Sequence, residues 1–351
     1  MSGDNSKMDQ FLEKMVGEMG AAASAALVLI GDRLGLYKAL ASNGSVTSVE
    51  LAERTDTFER YVREWLAAQA AAGYVEYDSA SEKFSMTPEQ TAVFADEDHP
   101  AYLAGGFYGI ASMFLDEPKI TEAFRTGKGV AWHEHSECLF CGTEKFFRPG
   151  YVANLIAEWI PALDGVREKL ERGARVADVG CGHGVSTVVI AQAFPKSEVV
   201  GFDYHEPSVV RARQVAKEEG VGNVTFEVAS AKTFPGENYD LVAFFDCLHD
   251  MGDPVGAAAH VLQSLRADGT WLIVEPFAHD KLEQNLNPVG RMFYAFSTMI
   301  CTPASKSQEV GLALGAQAGE TRLREVVTSG GFTHFRRATE TPFNLILEAR
   351  P

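Results

Sequence analysis

A glycine-rich turn and two aspartates could hold a nucleoside. Residues 176–184 read VADVGCGHG, and glycines there would let a strand turn sharply into a helix while its backbone approaches a ligand. Asp203 ends the next apolar segment, where a carboxylate can accept hydrogen bonds from both ribose hydroxyls. Nicotinamide enzymes use similar turns. Asp178, however, stands where their pattern is normally apolar, and it suits the ammonium of an amino acid.

A histidine follows the fourth apolar segment of this kind, residues 239–245. Residues 245–253 read FDCLHDMGD, and ligands of open α/β sheets bind outside the carboxyl ends of the strands. The ordinary pKa of histidine, about 6.5, lets His249 take a proton near neutral pH. The segment therefore predicts a general base for a displacement reaction that needs its acceptor held close and deprotonated. The alternative is that His249 only caps the helix that begins near Asp253.

The arrangement of the glycines and both aspartates resembles class I S-adenosylmethionine-dependent methyltransferases over residues 175–350. The resemblance implies S-adenosyl-L-methionine as cofactor, with S-adenosyl-L-homocysteine as its product. Ser230 and Ala231 stand where many relatives place an aspartate on the adenine. The implied cofactor-binding residues are Asp178, Gly180, Cys181, Gly182, Gly184, Asp203, Tyr204, Ser230, Ala231, Phe245 and Asp246.

The string LHDMGD at 248–253, about twenty residues before an apolar segment that ends at Glu275, is similar to small-molecule O-methyltransferases with an amino-terminal winged helix. That resemblance implies that His249 is the base and that Glu275, with Asp250, orients it. Met251 stands where the family usually has tryptophan. The strings FRPGY at 147–151, FDCLHDMGDP at 245–254 and EPF at 275–277 look closer still to one actinobacterial subfamily, some of whose members are labelled possible transcriptional regulators. Methylation of nitrogen, carbon or phosphonate oxygen and a cofactor-sensing regulator remain alternatives to a hydroxyl acceptor.

Alternating apolar strands and helices after Arg175 predict a seven-stranded, doubly wound α/β domain over residues 171–351. The predicted strands are 175–179, 198–202, 224–228, 239–245, 270–275, 332–338 and 343–349. An insertion at 276–320 is unusually long and so suggests a lid. The residues that could contact an acceptor are Phe147, Arg148, Tyr151, Arg291 and Tyr294. The aromatic stripe in this insertion could equally be core or dimer contact.

The amino-terminal residues 1–95 predict a winged-helix domain. Residues 9–42 have helical periodicity, Thr47 and Glu50 form a capping box, a helix follows at 58–72, and two short strands flank residues 78–81. Residues 96–170 are expected to be a mostly helical linker region. The family resemblance implies that this first domain forms a homodimer.

Composition limits the partners. Net charge is −17, from 31 basic and 48 acidic residues, and nucleic-acid binding depends on basic residues that neutralise phosphates. DNA binding is therefore disfavoured, although a winged helix raises it as a rival function. No uninterrupted run of eighteen apolar residues and no signal-like amino terminus is present, and the five cysteines suit a reducing compartment. We expect a cytoplasmic enzyme without a membrane span.

A metal site is considered and not predicted. Residues 133–141 contain His133, His135, Cys138 and Cys141, which are ligand types that zinc accepts. The four residues are crowded into nine positions, so little chain lies between them to fold around an ion. We therefore expect no metal, and we expect Cys181 and Cys247 to be small packing residues.

Overall fold

The computed structural model describes residues 2–42 and 44–351. The chain divides into two compact units, the first made of Met1–Phe114 and Glu137–Pro149 and the second of Leu115–Ser136 and Gly150–Pro351. The predicted linker region, residues 96–170, is thus shared between the units. Its two long helices, Gly106–Thr126 and Glu137–Asn154, each contribute to both.

The first unit contains helices followed by a hairpin, as the sequence predicts for a winged helix. Its elements are α1 (Ser2–Arg33), α2 (Leu36–Ala41), α3 (Ser48–Thr55), α4 (Glu59–Ala71), β1 (Glu76–Asp78), β2 (Lys83–Ser85) and α5 (Pro88–Phe94). The single helix predicted over 9–42 is wrong, because Gly35 adopts φ +67° and breaks it after Arg33. The capping box of Thr47 and Glu50 is present. Tyr37, Trp65 and Leu66 are buried at the centre of this unit.

One helix among the described residues is long and apolar enough to cross a membrane by length and composition. It covers Ser6–Arg33, near the amino terminus. The sequence expectation considered only uninterrupted apolar runs, whereas alanines and larger apolar residues spread along this helix keep its mean hydropathy high. Its carboxyl-terminal end packs in the first unit, where Val28 is buried and the Trp65 indole donates to the Leu27 carbonyl. Core helices and signal sequences meet the same criterion, so the helix is weak evidence for a membrane span.

Helices and strands alternate in the second unit. After α6 (Gly106–Thr126) and α7 (Glu137–Asn154), the helices are α8 (Val166–Arg172), α9 (Val185–Ala193), α10 (Glu206–Glu218), α11 (Pro254–Ser264), α12 (Pro288–Phe296), α13 (Thr302–Lys306) and α14 (Gly319–Ser329). The strands are β3 (Arg175–Val179), β4 (Glu198–Asp203), β5 (Val224–Val228), β6 (Tyr239–Phe245), β7 (Leu265–Pro276), β8 (His334–Glu340) and β9 (Asn344–Arg350). Each predicted strand is present, with ends that differ by up to five residues.

These strands form one sheet in the order β5-β4-β3-β6-β7-β9-β8. The first five are parallel, and β9 runs antiparallel to both β7 and β8. The predicted doubly wound α/β fold with a mostly parallel seven-stranded sheet is therefore confirmed. The order of the strands along the chain reverses between the neighbours β3 and β6. Sheets of this kind bind ligands outside the carboxyl ends of the strands at such a reversal, and β3, β4, β6 and β7 end there.

Candidate active site

The glycine loop after β3 leaves room for a ligand. Gly180, Gly182 and Gly184 have φ of +78°, +52° and +82°, in the left-handed region that favours glycine. A Cβ on Gly180 would lie 2.8 Å from Cys247 Sγ and one on Gly184 would lie 2.8 Å from the Phe226 ring, whereas one on Gly182 would meet nothing within 4 Å. Gly182 therefore faces open space while its neighbours fix the loop. The Cys181 side chain packs in the core beneath it.

Asp178 is a buried carboxylate with one unsatisfied oxygen. Its Oδ2 accepts hydrogen bonds from Ser186 Oγ at 2.6 Å and Thr187 Oγ1 at 2.7 Å, both at the start of α9. Its Oδ1 is buried and has no hydrogen-bond partner in the described part of the chain. Burial raises the pKa of Asp178 to about 6. A buried carboxylate oxygen without a donor fits the ammonium group of a bound amino-acid moiety.

Asp203, at the end of β4, holds the glycine loop from the other side. Its Oδ2 accepts from the Gly182 backbone N–H at 2.9 Å and its Oδ1 from the His205 N–H at 2.8 Å. Burial raises the pKa of Asp203. Each carboxylate oxygen has a second lone pair, so the group can still accept from ribose hydroxyls. The next residue, Tyr204, is half exposed.

The residues predicted to lie beside the adenine follow β5. Ser230 is exposed, and its hydroxyl is 2.8 Å from that of Thr233. Ala231 packs partly against the core of the sheet. No carboxylate occupies either position, so an adenine contact there would come from the serine hydroxyl or the backbone.

His249 and Glu275 form a buried pair. His249 lies in a short 3-10 turn, Leu248–Asp250, directly after β6, and its Nδ1 donates to Glu275 Oε2 at 2.6 Å. The second oxygen of Glu275, at the end of β7, accepts from the Leu248 N–H at 2.9 Å. Asp253 caps α11 through a hydrogen bond from Gly256, so the cap role considered for His249 belongs to Asp253. Glu275 therefore fixes the orientation of the imidazole and leaves Nε2 on the side of the ring away from Glu275, toward Cys301.

The electrostatics of this pair set its protonation. Burial alone would lower the pKa of His249, but the charge and hydrogen bond of Glu275, together with Cys301, outweigh burial and raise that pKa well above its ordinary value. The imidazole therefore keeps its proton to a higher pH than an ordinary histidine does. A positive charge bound nearby would lower the pKa of His249 and extend its range as a base.

Asp246, the residue after β6, is held by hydrogen bonds from side chains on other elements. Tyr151 Oη donates to Asp246 Oδ2 at 2.8 Å, and Asn344 Nδ2 donates to Asp246 Oδ1 at 3.1 Å. Asp246 has a φ of +50°, in the left-handed region that residues other than glycine seldom adopt. The Tyr151 ring also lies 5.3 Å from that of Phe245. Tyr151, which the sequence predicts as an acceptor contact, thus holds Asp246. No sequence signal pointed to Asn344, which lies far along the chain at the start of β9.

Carboxyl groups in this part of the second unit have raised pKa values. Burial and the neighbouring charge of Glu275 raise the pKa of Asp246 to about 8, and burial raises that of half-buried Asp250 to about 7. With Asp178 and Asp203, they surround the carboxyl ends of the strands with acidic groups. Such a cluster is stabilised when a cation binds, and it suits a ligand that carries ammonium and sulfonium charges.

The predicted lid, residues 276–320, packs on the turn that carries His249. The Gly315 N–H donates to the His249 carbonyl at 3.1 Å, and Ser305 Oγ donates to the Met251 carbonyl at 2.8 Å. Cys301, which the sequence analysis did not single out, is buried with its Sγ 3.3 Å from His249 Nε2. Its position on an irregular helical turn far along the chain left no pattern to find it.

The other residues predicted to contact the acceptor lie on α12 of the second unit or belong to the first unit. Arg291 lies on the exposed side of α12, Tyr294 is half-buried and Phe293 between them is the buried residue. Phe147 and Arg148 belong to the first unit, where Phe147 stacks edge-on against Phe146 and Arg148 pairs with Asp98 at 2.8 Å.

The histidine–cysteine cluster at 133–141 has other partners as well. His135 Nδ1 is 3.1 Å from Asp116 Oδ2, and Arg33 lies 4.0 Å from Cys138 Sγ. The described residues bring a different set of metal-ligand types together, namely His249, Asp250 and Cys301.

The fold and the site define a class: an α/β domain with a glycine loop and aspartates at the ends of β3 and β4, and an imidazole held by a carboxylate at the ends of β6 and β7. Comparison with known families agrees. Residues 170–325 match the methyltransferase-domain family, and residues 22–95 match the Rv2258c-like winged HTH domain. The second unit therefore contains an S-adenosylmethionine-dependent methyltransferase domain, preceded by a winged helix-turn-helix domain. The predicted class and cofactor are confirmed.

Curated relatives match only part of the chain. An uncharacterized methyltransferase, YcgJ, of Bacillus subtilis is 29% identical over 122 residues, 34% of this chain and 47% of its own length. A ubiquinone biosynthesis O-methyltransferase of Bordetella avium is 32% identical over 154 residues, 43% of this chain and 58% of its own length. The chain thus spans about half the length of these relatives.

Solved structures resemble the whole chain in fold. The mitomycin 7-O-methyltransferase MmcR has a TM-score of 0.72 at 16% identity and full coverage of both chains. Human N-acetylserotonin methyltransferase in complex with S-adenosylmethionine has a TM-score of 0.70 at 16% identity, covering 97% of each chain. At this identity the similarity concerns the fold.

Proposed function

We propose that this protein transfers a methyl group from S-adenosylmethionine to a hydroxyl of a small molecule, with His249 as general base. The observation that carries the proposal is the buried hydrogen bond between His249 and Glu275 at the carboxyl ends of β6 and β7. Two fold neighbours named for O-methyl transfer or for methylation of a small molecule support it.

The residues present fit the cofactor. Asp178 Oδ1 is buried without a donor, Gly182 faces open space, and Asp203 can accept from a ribose. When bound there, S-adenosylmethionine supplies a methyl group made electrophilic by a sulfonium sulfur. Its positive charges would also stabilise the carboxylate forms of Asp178, Asp246 and Asp250.

His249 removes the acceptor proton in this proposal. Nε2 of His249 would take the proton as the acceptor O–H bond breaks, and the bound cofactor would supply the methyl group and keep the electron pair of the broken carbon–sulfur bond. Glu275 holds the proton on Nδ1 before the reaction and stabilises the imidazolium after it. Because Cys301 Sγ is 3.3 Å from Nε2, the acceptor hydroxyl must replace the thiol contact.

The pH dependence of catalysis tests the role of Glu275. Since Glu275 raises the pKa of His249, the base is lost as pH falls, and kcat/KM should rise with pH through that pKa. The Glu275→Gln variant should move this rise to lower pH and reduce the plateau by about 10-fold, because the amide favours the wrong tautomer. Profiles measured on an acceptor found by screening small phenols would check this. An unmoved rise would contradict the assigned role.

A homodimer is proposed from the exposed amino-terminal half of α1. Its side chains form an apolar stripe at helical spacing, defined by Met8, Phe11, Leu12, Met15, Val16 and Met19. Soluble monomers rarely leave a patch of this kind uncovered. The other end of the helix is anchored in the first unit, so a second copy can pair along the stripe by two-fold symmetry.

Light scattering during gel filtration, without detergent, should show a dimer of the wild-type chain. Phe11→Glu combined with Val16→Glu should give monomers, because each places a charge in the stripe, whereas Lys14→Glu on the opposite side of the helix should leave the dimer intact. A monomeric wild-type chain, or one that needs lipid vesicles to cover the stripe, would contradict the homodimer.

A cofactor-sensing DNA-binding regulator is the second candidate, because residues 22–95 match a winged HTH domain. The local charges disfavour it. On α4, Arg60 pairs with Glu64 and Arg63 with Glu59, both at 2.7 Å. The helix therefore offers phosphates little net positive charge.

The expectation of a cytoplasmic enzyme stays a proposal, which the five cysteines, all free of disulfides, support.

A further inference from the structure

We propose that His249, Asp250 and Cys301 form an inhibitory site for a thiophilic divalent cation, and that zinc is the ion it fits best. One ligand atom from each residue, a ring nitrogen, a carboxylate oxygen and a sulfur, lies within 4.8 Å of the other two. His249 and Cys301 are buried and Asp250 is half-buried, so the group differs from a loose cluster of surface acids.

The imidazole is already arranged as metal-ligating histidines are. His249 donates its Nδ1 proton to Glu275, which is itself held by the Leu248 N–H. In the neutral imidazole that contact leaves the lone pair on Nε2, and Nε2 is the nitrogen that faces Cys301. A carboxylate behind a histidine fixes the ring and makes its free nitrogen a better donor to a metal.

The spacing of the two strongest ligands suits zinc. His249 Nε2 and Cys301 Sγ are 3.3 Å apart. Tetrahedral zinc, with bonds of about 2.0–2.1 Å to nitrogen and 2.3 Å to sulfur, separates such atoms by about 3.5 Å. The separation in the structure is therefore about 0.2 Å shorter than that of a zinc-bound pair. Asp250 supplies a third ligand from the same turn as His249, and the fourth position stays open.

The ligand set also selects the kind of ion. A thiolate and an imidazole favour zinc over magnesium or calcium, which prefer oxygen ligands. When zinc binds, the Cys301 S–H bond breaks, the thiolate donates its electron pair to the metal, and the proton leaves to solvent. No change of oxidation state and no further reactant is needed.

Zinc would act on catalysis by occupying Nε2 of the proposed base. It would also tie Cys301 of the lid, residues 276–320, to the catalytic turn that carries Asp250. Bound zinc should therefore prevent the acceptor from reaching the base. This consequence rests on the proposed function, whereas binding of the metal does not.

Cobalt is the probe, because Co²⁺ replaces zinc in such sites and its bond to a thiolate gives a charge-transfer absorption band. Titration of the reduced, metal-free full chain with Co²⁺ should saturate at one ion per chain with that band, and Zn²⁺ should abolish it. Cys301→Ser should remove the band and weaken zinc binding by about 30-fold, since a hydroxyl is a far poorer ligand. The exposed Cys141, changed to Ser, provides the matched control and should keep both properties.

The result that would overturn the site is a wild-type chain with no saturable cobalt band, or a band that survives in Cys301→Ser or disappears in Cys141→Ser. Circular dichroism and binding of S-adenosylhomocysteine would establish that each variant is folded. Methyl transfer measured in the presence of a chelator tests the proposed function separately. A chain that transfers methyl groups but binds no cobalt contradicts only the metal site, and one that binds cobalt without methyl transfer contradicts only the function.

Discussion

Replacing His249 with glutamine should lower kcat for methyl transfer by about 1,000-fold, within the range that general-base catalysis contributes. The buried imidazole held by Glu275 is the group placed to accept the acceptor proton at Nε2. Glutamine has a comparable size and keeps a polar contact with Glu275, but it cannot take up a proton near neutral pH. The measurement is release of S-adenosylhomocysteine with an acceptor found by screening small phenols.

The affinity for S-adenosylhomocysteine separates this effect from misfolding. His249→Gln should bind it as the wild type does, because the glycine loop and Asp203 lie on other strand ends. The exposed His334, at the start of β8, provides a matched control, and His334→Gln should keep full turnover. Turnover that survives in His249→Gln would show that proximity alone drives the reaction and that the proposed base is wrong.

Replacing Asp203 with asparagine should weaken binding of S-adenosylmethionine by about 100-fold. The uncharged amide would lack the charge-assisted hydrogen bonds that the carboxylate can accept from a ribose, at a cost of about 3 kcal/mol in binding free energy. The amide must also turn its N–H₂ group toward either the Gly182 or the His205 backbone N–H, which the two carboxylate oxygens now accept. The glycine loop, which Asp203 holds through Gly182, would be disturbed as well.

Equilibrium dialysis with radiolabelled cofactor measures this loss directly. Glu206 is exposed three residues further on, in the first turn of α10, and Glu206→Gln removes the same charge without touching the loop. That control should bind as the wild type does, and the melting temperature of each variant would show that the fold persists. Equal affinity in Asp203→Asn and the wild type would remove Asp203 from the cofactor site.

Most of the second unit could be predicted from the sequence because its signals are local. Strand β3 needs consecutive buried apolar residues, and the turn after it needs glycines because its φ angles are positive. Both requirements are visible as a pattern in consecutive residues. The one clear error in the first unit came from Gly35. A helical periodicity continues across it, but its left-handed backbone ends the helix.

The contacts that complete the site could not be predicted, since they join residues far apart in the chain. Cys301 approaches His249 only because an irregular helical turn in the lid carries it there, 52 positions along the chain. Asn344 reaches Asp246 across 98 positions because β9 is placed beside β7 in the sheet. The spacing of apolar residues within one helix or strand carries no information on contacts between residues so far apart in the chain.

Calorimetric titration of the wild-type chain with S-adenosylhomocysteine tests the central claim most directly. The account predicts saturable heat with one site per chain, because the acidic cluster and the glycine loop are already formed around the place of the ligand. Absence of any saturable heat at millimolar ligand would contradict the account, since neither His249 nor Glu275 would then have a methyl donor beside it.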